Sequence, residues 1–519
     1  MSSRRILSSL AAASLGLAYS AATALAQTPD QPPPAQPPEQ PAPPTPPEQP
    51  QPPPPPPDHH EPVVAPAPTP PAVTPAPADT TAPLSFKIGD AYFTPIGFMD
   101  FTGVWRSKTN GGGIGTNFGN IPYGVVYGNH LGESRFSMQN SRIGLRIDAP
   151  VHGSHVIGYL EADFLGAAPG NVTVSSNSNT LRSRVYWVDI RKGALELLAG
   201  QSWSLITAGR KGISPLPGDV FYTQNVDVNY QAGMVWGRYP ELRLTLHPAK
   251  EVAFALALDS PEQYVGGSAG GGLITLPSGL TTLAGTQLDN GTTGVGTPEF
   301  LPDVIAKLAI DPVKQVHVEA GGVERQFKIW NPANENNYSA TGVGGFLNLN
   351  LEPTKGLHLI SNNFYGAGVG RYIFGQAPDV IVEADGTLDT VKAGSTLDGV
   401  ELKLASTLLF GYFSYLYIDK ATAPAAAGMT CMDAMSCVGY GYPGAPVSQN
   451  KDEIEETVGF NQTFWKDPKY GALNLMGQYS HLTREPWAVP MGGASNAHIN
   501  MVFLNLRYTL PGEAPKLPD

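Results

Sequence analysis

Polar and apolar residues alternate along most of the chain from about residue 86 onward. The stretches 141–148 (SRIGLRID), 241–248 (ELRLTLHP), 400–406 (VELKLAS) and 501–510 (MVFLNLRYTL) each set polar or charged residues against apolar ones. A period of two is the signature of a β-strand with one apolar and one polar face, because successive side chains point to opposite sides. The spacing of an amphipathic helix is nearly absent, so the pattern predicts an all-β fold.

Segments with this pattern recur often enough to predict about 16 strands, an even number that suits a closed single-chain barrel. The predicted strands are 93–105, 133–148, 153–165, 180–191, 194–205, 231–246, 250–259, 302–311, 314–329, 338–351, 356–366, 397–405, 407–419, 453–466, 469–482 and 497–510.

The connections between these strands alternate between short and long. Several of the short ones repeat a proline followed by a lysine, at Pro248 and Lys250, Pro312 and Lys314, Pro353 and Lys355, and more loosely at Pro468 and Lys469. The long ones are 206–229, 260–300, 367–396 and 420–451. Long strands, aromatic residues near strand ends and this asymmetry together predict a transmembrane antiparallel β-barrel with short periplasmic turns and long outer loops. A secreted carbohydrate-binding β-protein on a proline-rich stalk is the alternative.

The N-terminal region has a different composition from the barrel. Residues 1–26 carry Arg4 and Arg5, an apolar run and a small-residue cleavage site, which predicts a secretory signal peptide. Residues 27–85 hold about half of the 51 prolines and few large apolar residues, which predicts a disordered periplasmic segment. The barrel is assigned to 86–510, and 511–519 to a C-terminal tail.

Charge and cysteine content exclude several classes of protein. The net charge of −12 gives no reason to expect a nucleic-acid partner. Cys431 and Cys437 are the only two cysteines; they form either one small disulfide loop in an oxidising compartment or a reduced pair. No metal site, cofactor or catalytic triad is predicted, and we expect no enzyme activity.

Five arginines fall on the polar face of their predicted strands and are candidates for anion selectivity: Arg142, Arg146, Arg182, Arg184 and Arg243. Rings of positive side chains select anions, and a guanidinium holds a carboxylate with two parallel hydrogen bonds. The alternative is that these arginines brace the wall by pairing with carboxylates such as Glu161 and Asp163 on the neighbouring strand.

The segment 133–205 contains a recognisable series of residues: Arg135, Ser141, Arg142, Gly144, Arg146, Glu161, Asp163, Phe164, Gly166, Arg182, Arg184 and the run Gly200–Ser204. On these residues, the segment resembles the N-terminal half of DcaP-like outer-membrane porins. The resemblance implies a trimeric porin for small anionic solutes, notably dicarboxylates. This chain departs from the family's usual pattern in two ways: a proline-rich segment replaces the N-terminal coiled coil, and the last strand is followed by PGEAPKLPD instead of ending on an aromatic residue.

In porins of this size the loop after the fifth strand folds inward and narrows the pore. The constriction candidates in this loop are Arg210, Lys211, Asp219, Tyr222 and Asp227, with an ordinary surface loop as the alternative.

The expected function is passive diffusion of small anionic solutes across the outer membrane of a Gram-negative bacterium. The expected partners are those solutes, outer-membrane lipid, two further copies in a homotrimer, and peptidoglycan or another periplasmic contact through the N-terminal arm. The alternatives are a general or cation-favouring porin, and a barrel anchor whose proline-rich arm tethers the outer membrane.

Overall fold

The computed structural model describes residues 84–110, 112–166, 179–221, 223–267, 271–292 and 296–511. The predicted signal peptide, nearly all of the proline-rich segment, Tyr222 and all but the first residue of the C-terminal tail lie outside the described residues. Within the described part, no helix is both long enough and apolar enough to cross a membrane.

The described residues form 22 strands. Their bounds are β1 Phe86–Ile88, β2 Ala91–Arg106, β3 Glu133–Ser137, β4 Arg142–Val151, β5 Ser154–Asp163, β6 Arg182–Lys192, β7 Leu195–Trp203, β8 Arg238–Ala249, β9 Val252–Asp259, β10 Asp303–Val313, β11 Val316–Asn331, β12 Asn336–Thr354, β13 Leu357–Ala367, β14 Val380–Val382, β15 Leu388–Thr390, β16 Lys392–Leu404, β17 Thr407–Ile418, β18 Ala421–Pro424, β19 Cys437–Tyr440, β20 Asn450–Asp467, β21 Gly471–Pro486 and β22 Ala497–Thr509.

Sixteen of these strands close into one antiparallel barrel: β2, β4–β13, β16, β17 and β20–β22. Each pairs with its neighbours in chain order, and β22 pairs with β2 to close the ring. The strands β1 and β3 extend the sheet along β2, while β14–β15 and β18–β19 are short hairpins inside the long loops. Because the barrel is closed, each of its sixteen strands pairs with a neighbour on both sides.

All 16 predicted strands are present in order, with differences at their ends. The segment predicted as 133–148 is interrupted between β3 and β4. The segment predicted to begin at 231 begins at Arg238, because residues before it contact the opposite wall; the Ala232 N–H donates to Glu455 Oε2 at 2.7 Å.

In three of the four proline–lysine connections the proline lies at a shift in strand register and not in the turn itself; Pro468 lies in the turn between Asp467 and Gly471. The ladder is interrupted between Leu246 and Ala249, between Ile310 and Val313, and between Leu351 and Thr354, and each interval contains one proline. Proline has no N–H for the ladder, so a bulge is where a strand tolerates it. The lysines then begin two-residue turns, which are closed by the pairs Ala249–Val252, Val313–Val316 and Thr354–Leu357.

The two faces of each strand meet different surroundings. On β8 the leucines at 242, 244 and 246 are 45–47% exposed on the outside of the barrel. The intervening Glu241, Arg243 and Thr245 are buried on the inside. The outer surface is therefore an apolar belt suited to lipid, and the inner wall is polar.

Loop residues fill part of the barrel interior with apolar side chains. One cluster joins loop residues such as Val265, Leu283 and Ile381 to inward-facing wall residues such as Phe327 and Phe364. This cluster lies against the wall from β9 to β17, where buried polar residues such as Lys307, Glu319 and Arg325 also face inward.

Candidate functional site

The loop between β7 and β8, residues 204–237, runs inside the barrel and contacts its wall. The Lys307 ammonium on β10 donates to the carbonyl of Thr207 at 2.7 Å. Further along, the Gly212 N–H donates to Asp311 Oδ2 at 2.9 Å, beside the short turn that follows β10. The loop therefore reaches from the long-loop end to near the short-turn end.

Two of the predicted constriction residues are fixed within this descending part. Arg210 donates two hydrogen bonds to Glu401 on β16, at 2.9 and 3.1 Å, and its guanidinium lies 4.7 Å from the ring centre of Phe221. Asp219 accepts a hydrogen bond from the hydroxyl of Ser214 at 2.8 Å.

Lys211 is exposed and lines a cavity of about 590 Å³ at the short-turn end. Lys250 and Lys314, from two of the proline–lysine turns, line the same cavity, together with Glu251 and Asp311. Acids and bases are mixed there, so this cavity by itself has no clear preference for one sign of charge.

Asp227 meets two wall arginines where the loop crosses the barrel. Its Oδ2 lies 3.1 Å from Arg142 Nη2 on β4 and 2.8 Å from Arg507 Nη2 on β22. Burial raises the pKa of this carboxyl, but the positive charges of Arg142 and Arg507 outweigh burial and hold the pKa well below its usual range. Asp227 therefore ties the loop to the arginine-bearing wall as a carboxylate.

Arginines and carboxylates interlock across β4, β5 and β6. Arg182 donates two hydrogen bonds to Asp163, at 3.0 and 2.7 Å. Arg184 contacts Glu161 at 2.6 Å and Asp163 at 2.7 Å. Arg142 also lies 3.7 Å from Glu161, so the two carboxylates are shared by three arginines.

The other two predicted arginines pair within their own strands. Arg146 donates to both oxygens of Asp148, at 2.8 and 2.7 Å. Arg243 donates to Glu241 at 2.5 Å and to the carbonyl of Trp203 at 2.6 Å. All five predicted arginines thus have carboxylate partners. This supports the wall-bracing role, and contact with a solute stays a prediction.

Arg238, at the start of β8, is an additional inward cationic residue that the sequence reasoning missed. Its guanidinium lies 5.3 Å from the ring centre of Trp203 and 5.9 Å from that of Trp236. Within the part of the chain that the structure describes, it has no hydrogen bond and no ion pair, and its Nη1 is buried without an acceptor. The neighbouring tryptophans were the available clue, but the alternating pattern is interrupted there by Gly237 and Pro240.

Cys431, in the segment between β18 and β19, forms a disulfide with Cys437 at the start of β19, with an S–S distance of 2.09 Å. Tyr442 and Ala445 pack against Cys437. These neighbours are loop residues, so the bond braces the long loop between β17 and β20 and takes no part in the arginine wall.

Comparisons with known proteins agree with the barrel. No protein-family model matches the chain, and no curated protein matches its sequence. Among solved structures, the chain is similar to the outer-membrane channel DcaP of Acinetobacter baumannii, with 17% identity, 82% of this chain and 99% of that chain covered, and a TM-score of 0.57. It also matches an anion-selective porin from Comamonas acidovorans, with 10% identity and a TM-score of 0.46. This match covers 81% of this chain and 100% of that chain. The likeness to DcaP confirms the predicted resemblance at the level of the fold.

Proposed function

We propose that this chain is an outer-membrane porin through which small anionic solutes diffuse passively. The observation that carries the proposal is the placement of loop 204–237 inside a closed barrel, against a wall rich in arginine. A loop in this position narrows an aqueous path, and the charges beside it decide which ions enter.

The solute path is proposed to follow the polar side of the lumen. Loop residues pack as an apolar cluster against β9–β17 and cover part of the wall on that side. The wall of β4–β8 and β22 carries Arg142, Arg182, Arg184 and Arg507 instead. The cavity lined by Lys211 lies at the short-turn end of the other side, where its wall residues come from the ends and turns of β8–β13.

Carboxylate-bearing solutes suit this wall better than other small anions. A guanidinium is planar and donates two parallel hydrogen bonds to a carboxylate, which a spherical ion cannot accept in the same way. Dicarboxylates are the solute class that the DcaP-like resemblance implies. The carboxylates of the wall favour the opposing proposal, a general or cation-favouring porin, because they offset most of the arginine charge.

The surroundings follow from the same proposal. The proposed setting of the barrel is outer-membrane lipid, which its apolar belt suits, and the proposed assembly is a homotrimer, as the DcaP-like resemblance implies. The N-terminal arm would then lie on the periplasmic side, available to peptidoglycan or a periplasmic partner. A barrel anchor with a tethering arm is the second candidate function, and the apolar filling of the lumen favours it, since an anchor needs no continuous water path.

Recording from the full-length mature protein in a planar lipid bilayer under a salt gradient separates these functions. We expect the conductance to rise in steps, with three steps for each inserted trimer. The sign of the reversal potential should show that anions permeate better than cations. A reversal potential of the opposite sign would keep the channel and reject the anion proposal. A correctly inserted barrel without conductance would favour the anchor.

A further inference from the structure

We infer that Arg238, together with Arg184 and the flanking tryptophans, forms a binding site for the carboxylate group of a small solute, and that this site sets the channel's selectivity. The inference rests on the proposed porin function and adds to it a specific residue, outside the arginines that brace the wall.

The first argument is that Arg238 lacks an acceptor. The arginines at 142, 146, 182, 184 and 243 all reach carboxylates of this chain. Arg238 reaches none among the described residues. Buried polar groups in folded proteins nearly always have a partner, and a charged donor without one is costly, so its place is suited to an acceptor that comes from outside the chain.

A second unused donor lies in the same group of side chains. Arg184 Nη2 is buried without a hydrogen-bond partner, although the other nitrogens of this guanidinium contact Glu161 and Asp163. Arg184 lies 5.7 Å from the ring centre of Trp203, the same ring that Arg238 approaches at 5.3 Å. Two guanidinium groups with unused N–H donors are thus gathered around one indole.

The local charge is also unbalanced. After burial, the charges that act most strongly on Arg238 are those of Arg184 and Arg182, and both are repulsive. Asp163 is already shared by Arg182 and Arg184. A carboxylate bound here would reduce the repulsion among the three arginines and accept hydrogen bonds that the chain leaves unmade.

The site is both held in place and open to solute. Cation–π contacts with Trp203 and Trp236, whose ring centres are 5.4 Å apart, orient Arg238 without consuming its N–H donors. Arg238 is partly exposed, and the side chain of Arg182 beside it is 39% exposed, so water reaches the group.

The test compares Arg238→Gln, Arg238→Lys and Arg191→Gln in the full-length protein in planar bilayers. Arg191→Gln is the control, because it removes the same charge from an exposed position near the turn after β6. Reversal potentials are measured with chloride and with succinate as the anion. We expect Arg238→Gln to lower the succinate-to-chloride permeability ratio and the overall anion preference, and Arg191→Gln to leave the succinate-to-chloride ratio unchanged.

The lysine variant separates charge from geometry. Arg238→Lys keeps the positive charge but cannot donate two parallel hydrogen bonds, so anion preference should persist while the preference for succinate over chloride falls. If both preferences survive in Arg238→Gln, the inference is wrong although the porin function stands. If the wild-type protein does not conduct, the porin function itself fails.

Binding is checked independently of conduction by tryptophan fluorescence of the folded protein in detergent. Titration with sodium succinate should change the emission of the wild type, and sodium chloride at equal ionic strength should not. Arg238→Gln should bind succinate about tenfold or more weakly, the usual effect of losing hydrogen bonds to a charged partner. Equal titration curves for the wild type and Arg238→Gln would overturn the inference.

Discussion

Arg325 is a fully buried link between the barrel wall and the loop 368–391, and its replacement should release that loop. From β11 its guanidinium reaches Asp303 on β10 at 2.9 Å and Asp379 in the loop at 2.7 Å. It also donates to the carbonyl of Gly368 at 2.9 Å. Arg325→Met keeps an apolar stem for packing and removes the charge and the donors.

The free energy that the closed loop loses in Arg325→Met depends on the partners that Asp303 and Asp379 keep. Removing one member of a buried ion pair usually costs about 3–5 kcal/mol, because the other charge stays buried without its partner. Here Asp303 keeps the hydroxyl of Tyr372 at 2.8 Å, and Asp379 keeps the backbone N–H of Arg371 at 3.0 Å and that of Tyr264 at 3.1 Å. We therefore expect the low end, about 3 kcal/mol, which raises the population of the released loop by a factor of about 100.

Limited trypsin digestion of the membrane-inserted protein measures this opening. Arg371 is buried in the closed loop, so trypsin cleaves after it only when the loop leaves the wall, and the cleavage rate follows the open population. Arg325→Met should be cleaved there about 100-fold faster than the wild type. Arg146→Met is the control, since it breaks a similar pair, with Asp148, outside this loop. Equal rates in Arg325→Met and the wild type, or equal acceleration in Arg146→Met, would show that Arg325 does not hold this loop against the wall.

Two further predictions concern other carboxylates of the inward loops. Asp227→Asn removes the negative charge shared by Arg142 and Arg507, so reversal-potential measurements should show stronger anion preference; a weaker preference would contradict this. Burial, with a hydrogen bond and repulsion from Asp289, raises the pKa of Glu262 to about 7. Protonation of the Glu262 carboxyl therefore stabilises loop 260–302. This stabilisation is complete below the ordinary carboxyl pKa and is lost as the pH rises through about 7. Protease cleavage of that loop should accelerate between pH 5 and pH 8 in the wild type, and Glu262→Gln should remove most of that pH dependence; an unchanged profile in this variant would exclude Glu262 as the cause.

The candidate site was only partly predictable, because a side chain's face follows from local spacing but its partner does not. Alternation placed Arg142 and Arg184 inside the barrel. It did not distinguish Arg146, which pairs with Asp148 two residues away, from Arg142, which reaches Asp227 in a distant loop. Arg238 was missed because its environment comes from Trp203 on the adjacent strand and Trp236 beside it, where the alternating pattern is interrupted.

Local sequence pattern is enough to predict the number of barrel strands, their inward and outward faces and the order of short and long connections. Each of these depends on a period of two or on a turn of a few residues, which are properties of neighbouring positions. The tertiary structure is needed to show that loop 204–237 runs inside the barrel, which arginines share Asp163, and that Arg238 has no carboxylate partner among the described residues. Those contacts depend on barrel closure, which brings together residues from different strands and loops, and no pattern of neighbouring positions predicts them.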